Sequence, residues 1–455
     1  MPKKKTALTI EERLQQALVP AEEQPYEVPE NWVWVRLESV ASWGSGGTPS
    51  RKHEEYYNGD ILWIKTGELN NGWIYDTEEK ITDEGLKKSS AKLFPPYSVL
   101  IAMYGATIGK VAILGVPATT NQACACAVCN QSLLYMYLFY YCISQKNVFI
   151  EKGKGGAQAN ISQIILKQHP IPLPPLSEQQ RIVERIEELF AKLDEAKERL
   201  QEVADSFAVR KAAILHKAFT GELTKQWRRE NGVSDESWEE RKLGEVGSWL
   251  GGGTPSTSRE EYWENGNILW ITSKDMKSTV IEDTLMKVNE IGVKNSSANY
   301  IEKPALLVVM RSGILRRTFP VAMVKKPFTV NQDLKAIIPD EDDLEFLYWM
   351  LLSNEQRILN TCMKNGTTVE SINSNALKNL TFKCPSLPEQ HEIVRLIDDL
   401  LARERAAQQA AEQALASIDL MKKSILARAF RGELGTNKAS EASALELLKQ
   451  VLAEN

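Results

Sequence analysis

The sequence predicts an α+β chain: two similar mixed α/β domains separated by two long antiparallel coiled-coil helices, in a pseudo-twofold internal repeat. Three observations predict it. Residues 176–223 return as residues 387–434 at a constant offset of 211, and each copy opens with L-x-E-Q and closes with A-F-x-G-E-L. The segment before each copy also repeats, so the order is globular half, helix, globular half, helix. Within each helical copy the apolar residues recur at alternating steps of four and three, the spacing of a coiled-coil seam.

Residues 1–26 form an N-terminal helical segment in this reading, short and amphipathic, with Leu8-Thr9 matching Leu223-Thr224. The first globular domain spans 27–175 and the second 238–386, after a linker at 224–237. Trp32 pairs with Trp238, Gly46-Gly47-Thr48-Pro49-Ser50 with Gly252-Gly253-Thr254-Pro255-Ser256, and Trp63 with Trp270. Ser89-Ser90-Ala91 then matches Ser296-Ser297-Ala298, Met103 matches Met310, and Asn121-Gln122 matches Asn331-Gln332. Short β-prone runs such as DILWIKT, SVLIAMYG and KVAILG read as strands bounded by turn residues. LLYMYLFYYCISQ and LEFLYWMLLSNEQ read as buried helices. A polar, glycine-containing loop follows each, and a proline-bounded strand then leads into the long helix.

The helix over 176–223 carries the seam Ile182, Ile186, Leu189, Leu193, Ala196, Leu200, Val203 and Phe207, resumed by Ile214. The helix over 387–434 carries Ile393, Ile397, Leu400, Glu404, Ala407, Ala411, Ala414, Ile418, Met421 and Ile425. Bulky residues in one seam meet alanines in the other, which suits close antiparallel packing. Either helix would run roughly 60 Å at 1.5 Å per residue. Residues 435–455 form a helical tail, and the two ends of the chain are expected to meet.

With 455 residues, 43% hydrophobic and 25% charged, the chain has the composition of a folded multidomain protein. The basic start lacks an apolar core and reads as no signal peptide. The most apolar stretch, residues 99–118, is broken by Gly105, Gly109 and Lys110 and reads as two strands around a turn. No membrane partner is expected and the location is read as cytoplasmic, with six reduced cysteines. A net charge of −5 means that any nucleic-acid surface must be local. Cys124, Cys126 and Cys129 raise a zinc site, which is set aside because the second half has no cysteines there and the alternation suits a buried strand.

Catalytic and cofactor motifs are missing. GATIGK is one residue short of a P-loop and is followed by Val111, and the GGTPS loops lack a G-x-G-x-x-G pattern with its βαβ unit. The four histidines lie in dissimilar surroundings. Asp60 and Glu68 near Lys65 could be imagined as a nuclease cluster, and that reading is also set aside.

GGTPS with a downstream YYNGDILWIK or YWENGNILWIT, PPLSEQQRIV and PSLPEQHEIV, AFTGEL and AFRGEL, all in duplicated order, resemble the specificity subunits of type I restriction-modification systems. The resemblance implies a non-catalytic DNA reader with two target-recognition domains, each reading half of a bipartite, asymmetric target in double-stranded DNA. The paired helices would set the unread spacer and dock two adenine-N6 methyltransferase subunits, with motor-nuclease subunits joining the full complex. S-adenosylmethionine, ATP and magnesium would sit on those partners, and this chain would bind no cofactor or metal. A scaffold that reads no DNA and a cryptic duplicated nuclease are the competing readings.

Under this resemblance the candidate DNA-binding residues are those able to make directional hydrogen bonds to bases or to meet phosphate. In the first domain they are Thr48, Ser50, Arg51 and Lys52, then Lys65 and Thr66, then Lys152, Lys154, Gln158 and Asn160. In the second they are Thr254, Ser256, Ser258 and Arg259, then Ser273 and Lys274, then Lys364, Asn365 and Thr367. Arg311, Arg316, Arg317, Lys325 and Lys326 form a further cluster in a segment with no acidic residue. The glycine loops have a second reading as tight turns around Thr-Pro. Tyr104-Gly105-Ala106-Thr107 aligns with the more basic Arg311-Ser312-Gly313-Ile314, so the two half-sites are expected to differ.

Overall fold

The computed structural model describes residues 9–153, 160–364 and 369–454. Two compact units divide the chain: Met1–Leu200 with Gln413–Asn455, and Gln201–Glu412. The first is built on a five-stranded sheet in the order Ala41–Ser45, Cys124–Cys129, Val99–Ala102, Val111–Leu114, Trp73–Ile74. The expected turn in residues 99–118 is an antiparallel hairpin, with Val99 opposite Ile113. A three-stranded sheet, Lys80–Ile81, Tyr57–Ile64 and Thr119–Thr120, and a pair, Val33–Arg36 with Pro170–Leu173, complete the strands. The aromatic run becomes the helix Tyr135–Ser144, which buries Tyr137, Leu138, Phe139, Tyr141 and Cys142.

The second unit repeats this plan. Its main sheet runs Gly247–Gly251, Leu334–Pro339, Ala305–Val309, Val321–Val324, beside a three-stranded sheet of Met286–Val288, Ile268–Ile271 and Phe328–Val330. The fifth strand of the first unit shrinks here to a single bridge between Val280 and Met323. The helix Leu344–Ser353 takes the place of Tyr135–Ser144. Cys124 and Cys126 are buried in their strand as small apolar groups, and burial pushes the Cys124 thiol up to about 12.

The L-x-E-Q signature fastens each long helix to its own domain. Gln179 accepts from Leu134 N–H at 2.9 Å and donates to Ser132 O at 2.8 Å, joining the helix start to the start of the aromatic helix. Gln390 repeats this by accepting from Asp343 N–H at 2.8 Å and donating to Pro385 O at 3.0 Å. The A-F-x-G-E-L signature is a helix stop. Gly221 and Gly432 take φ of +80° and +75°, the left-handed conformation that glycine adopts without steric cost and that ends helices. Helical structure therefore ends at Phe219 and Ala429, before the bounds at 223 and 434 read from the sequence.

The second long helix, Leu387–Ala429, is continuous, but the first is broken at Ser206 into Leu176–Asp205 and Phe207–Phe219. The apolar rhythm has two causes. Ile182 and Ile186 belong to the core of the first unit, together with Leu426, Ala429 and Phe430 from the far end of the second helix. Ile393 and Ile397 belong to the core of the second unit, together with Leu215 and Ala218. Within the first unit Lys422 pairs with Asp194 and its ammonium lies 5.0 Å from the Phe190 ring centre. Within the second, Arg210 pairs with Glu404 and donates to Val203 O at 3.2 Å. Four seam assignments are corrected: Ala196, Val203, Ala407 and Met421 are exposed, and next to Val203 the polar pair of Arg210 with Glu404 stands where an apolar seam would continue.

The chain ends meet in the first unit. Thr9 and Glu12 form a reciprocal cap on Ile10–Ala17, and Arg13 donates to Leu452 O at 3.0 Å in the helix Ala444–Glu454. No helix among the described residues is long and apolar enough to cross a membrane.

Candidate nucleic-acid interface

The duplicated motif residues build one construction in each unit. Gly46 lies so close to Thr120 O, and Gly252 to Val330 O, that a Cβ would overlap the carbonyl. Gly47 and Gly253 are crowded in the same way by Ser90 and Ser297, which accounts for the Ser-Ser-Ala repeat. Trp63 Nε1 donates to Gly47 O at 2.9 Å and Trp270 Nε1 to Gly253 O at 3.1 Å. The glycines are therefore tight turns set by close backbone approach, and the residues after them are held at the surface.

Four loops converge on the Asn-Gln turn. In the second unit Thr254 Oγ1 donates to Gln332 Oε1 at 2.7 Å, tying the glycine loop to it. Asn331 N–H donates to Ile271 O at 3.0 Å, bringing in the strand end that carries Ser273 and Lys274. Met310 N–H donates to Asp333 O at 2.7 Å, placing Arg311 alongside. Arg311 bridges Ser371, whose carbonyl accepts from Lys364 N–H at 2.8 Å.

The first unit repeats each link. Thr48 donates to Gln122, Asn121 N–H donates to Ile64 O at 3.0 Å, Met103 N–H donates to Ala123 O at 2.9 Å, and Tyr104 bridges Asn160. Candidates from remote parts of the sequence thus form one ridge at the strand ends of each unit. The backbone links are the same and the side chains differ: Tyr104 and Ala123 in the first unit stand where the second has Arg311 and Asp333.

Several cations on these ridges are paired. Arg51 meets Glu79 at 2.7 Å and lies over the Tyr57 ring, 4.3 Å from its centre, while Lys65 reaches the same carboxylate at 2.9 Å. Lys65, and then Arg51, hold the Glu79 carboxyl below its ordinary range. Arg259 donates to the Tyr262 hydroxyl at 2.9 Å, and Ser256 and Ser258 bond each other at 2.9 Å. Ser50, Lys52, Lys274, Arg317 and Lys364 are exposed and form no ion pair among the described residues. Thr66 is half-buried in the turn Thr66–Glu68.

Glu68, one carboxylate of the imagined nuclease cluster, is engaged as a turn cap. Its carboxylate accepts from Lys65 N–H at 2.9 Å, Glu78 N–H at 3.2 Å and the Thr77 hydroxyl, and Asp275 caps the matching turn in the second unit.

One expectation is corrected. Lys325 and Lys326 do not join Arg311, Arg316 and Arg317: the strand Val321–Val324 carries them to the opposite end of its hairpin, where they pair with Glu345 and Glu282. Lys152 is exposed along its length while its ammonium lies 3.2 Å from Nδ1 of buried His169, and partial burial lowers its pKa. Lys154, Gln158, Asn365 and Thr367 lie outside the described residues. Sequence reasoning missed Gln122, Gln332, Asp333 and Glu370 as site residues; the duplicated Asn-Gln pair was the available signal for the two glutamines.

The family model for the type I restriction modification DNA specificity domain matches residues 29–205 and again 235–414. The chain belongs to the type I restriction-modification specificity family. The specificity subunit of the type I restriction enzyme EcoR124I/EcoR124II from Escherichia coli is 33% identical over 279 residues, covering 59% of this chain and 63% of that one. The EcoKI specificity subunit from Escherichia coli is 26% identical over 458 residues, covering 94% and 96% of the two chains. The HsdS subunit from Thermoanaerobacter tengcongensis, at 20% identity, has the same fold with a TM-score of 0.66 over 90% of this chain and 100% of that one. Each family match takes in one glycine loop, one Asn-Gln turn and the start of one long helix, so both ridges lie within specificity-family segments.

Proposed function

We propose that the chain is the DNA sequence-specificity subunit of a type I restriction-modification complex, each globular domain reading one half of a bipartite, asymmetric target. One observation carries the proposal: the same four-loop ridge is built twice on identical backbone links but presents different side chains. Shared architecture with divergent surface suits two readers of two different sequences. The long helices set the spacer and dock two adenine-N6 methyltransferase subunits, and motor-nuclease subunits join in the full complex. The chain supplies recognition without catalysis, leaving S-adenosylmethionine, ATP and magnesium to those partners, in the cytoplasm. Glu68 and Asp275, engaged as turn caps, are consistent with that division of labour.

Gel-shift titration of the complex assembled with its methyltransferase subunits tests this, comparing target and scrambled duplexes as salt is raised. A reader keeps a preference for its target while overall affinity falls with salt. A scaffold shows no preference at any salt concentration. Cleavage of DNA by the purified chain with magnesium alone would support the nuclease reading instead.

A further inference from the structure

The second unit's ridge holds two arginines in one arrangement. Arg311 Nε donates to Asp333 Oδ1 at 2.7 Å, and Arg316 Nε pairs with Glu370 Oε1. Among the described residues neither arginine's terminal nitrogens have a partner, and both side chains are exposed. A carboxylate on Nε fixes the plane of a guanidinium and leaves its two terminal N–H groups pointing away as a preset fork. That fork matches the O6 and N7 acceptors of guanine in the major groove, the commonest base-specific contact of arginine. A phosphate anchor requires no such buttress, and an adjacent carboxylate weakens attraction to a phosphate.

The first unit provides an internal comparison. At the positions of Arg311 and Asp333 it has Tyr104 and Ala123, so reader and buttress are absent together. The backbone link is unchanged, since Met103 N–H donates to Ala123 O as Met310 N–H does to Asp333 O. The backbone link of the turn therefore does not need Asp333; of its carboxylate, Oδ1 holds Arg311 at 2.7 Å while Oδ2 accepts a longer bond from Asn331 Nδ2 at 3.4 Å.

We infer that Arg311 and Arg316, oriented by Asp333 and Glu370, each read a guanine in the half-site of the second domain. The inference rests on the DNA-reading function proposed above and assigns base identity within it. The test is methylome sequencing of hosts carrying the whole system, with the wild-type chain or with Arg311→Ala, Arg316→Ala or Asp333→Ala. The wild-type motif is expected to contain two G·C pairs in one half-site. Arg311→Ala should make one of them degenerate, with discrimination falling about tenfold to a hundredfold. Asp333→Ala should relax that same position although it makes the ridge more positive, and Arg316→Ala should relax the other. The second half-site should otherwise stay the same, and the first should stay unchanged throughout.

Variants that keep the wild-type motif at uniformly lower methylation would make the arginines phosphate anchors and overturn the inference. A half-site without G·C pairs, or tighter binding with an unchanged motif in Asp333→Ala, would also overturn it. A wild-type system that methylates no bipartite motif would instead overturn the functional reading beneath it.

Discussion

Gly46 and Gly252 hold their loops against a facing carbonyl, and the crowding there follows from backbone approach alone. Gly252→Ala should destabilise the protein by about 1–3 kcal/mol through overpacking against a group that cannot yield. An unchanged thermal midpoint would contradict the account of the turn. His169 makes a second residue-scale prediction. It is 3% exposed, and burial together with Lys152 lowers its pKa from 6.5 to about 3. Below about 6.5 the unfolded chain takes up a proton that the folded chain refuses, so stability falls as pH falls, by on the order of 1.4 kcal/mol per pH unit for this group. Denaturant titrations at pH 7 and 5 should show a smaller loss for His169→Gln than for the wild type. At this scale the sequence was least legible. Residue type alone could not show that the Lys152 ammonium lies against His169 or that Lys325 lies at the far end of a hairpin, because both depend on tertiary placement.

The elements were more legible, because their signals are local. The heptad rhythm located both long helices, and the duplicated strand and turn residues located the sheets. What periodicity could not separate was helix-to-helix packing from burial in a globular core, since both require an apolar face at the same spacing. Ile182 and Ile393 are core residues for that reason. Nor did the pattern reveal Glu389. It is fully buried, and its Oε1 accepts from Thr224 at 2.7 Å and from Arg228 Nη1 at 2.7 Å. Arg228 is also buried and would keep only the longer pair at 3.2 Å to the exposed Asp235, so Glu389→Ala removes its buried counter-charge, and a loss of about 3–5 kcal/mol is expected. Replacing both residues together, as Arg228→Met with Glu389→Leu, should cost much less. Equilibrium unfolding of the single and double variants checks this, and equal losses would contradict the pairing.

For the whole molecule, the internal repeat was the most informative feature of the sequence. It predicted two domains of one fold, and the two units share their strand order apart from the edge strand at Trp73–Ile74. The ridge on each unit was only partly legible. Its contributors lie far apart in the chain and meet through backbone hydrogen bonds that no motif encodes. Thr254, Gln332, Arg311 and Lys364 became neighbours only in the folded unit. The central claim is that this construction, built twice with different side chains, reads two different sequences. Single-molecule sequencing of methylated adenines in a host carrying the intact system tests that claim most directly. The account predicts a motif of two unlike half-sites separated by a fixed run of unspecified bases. A palindromic or continuous motif would contradict it.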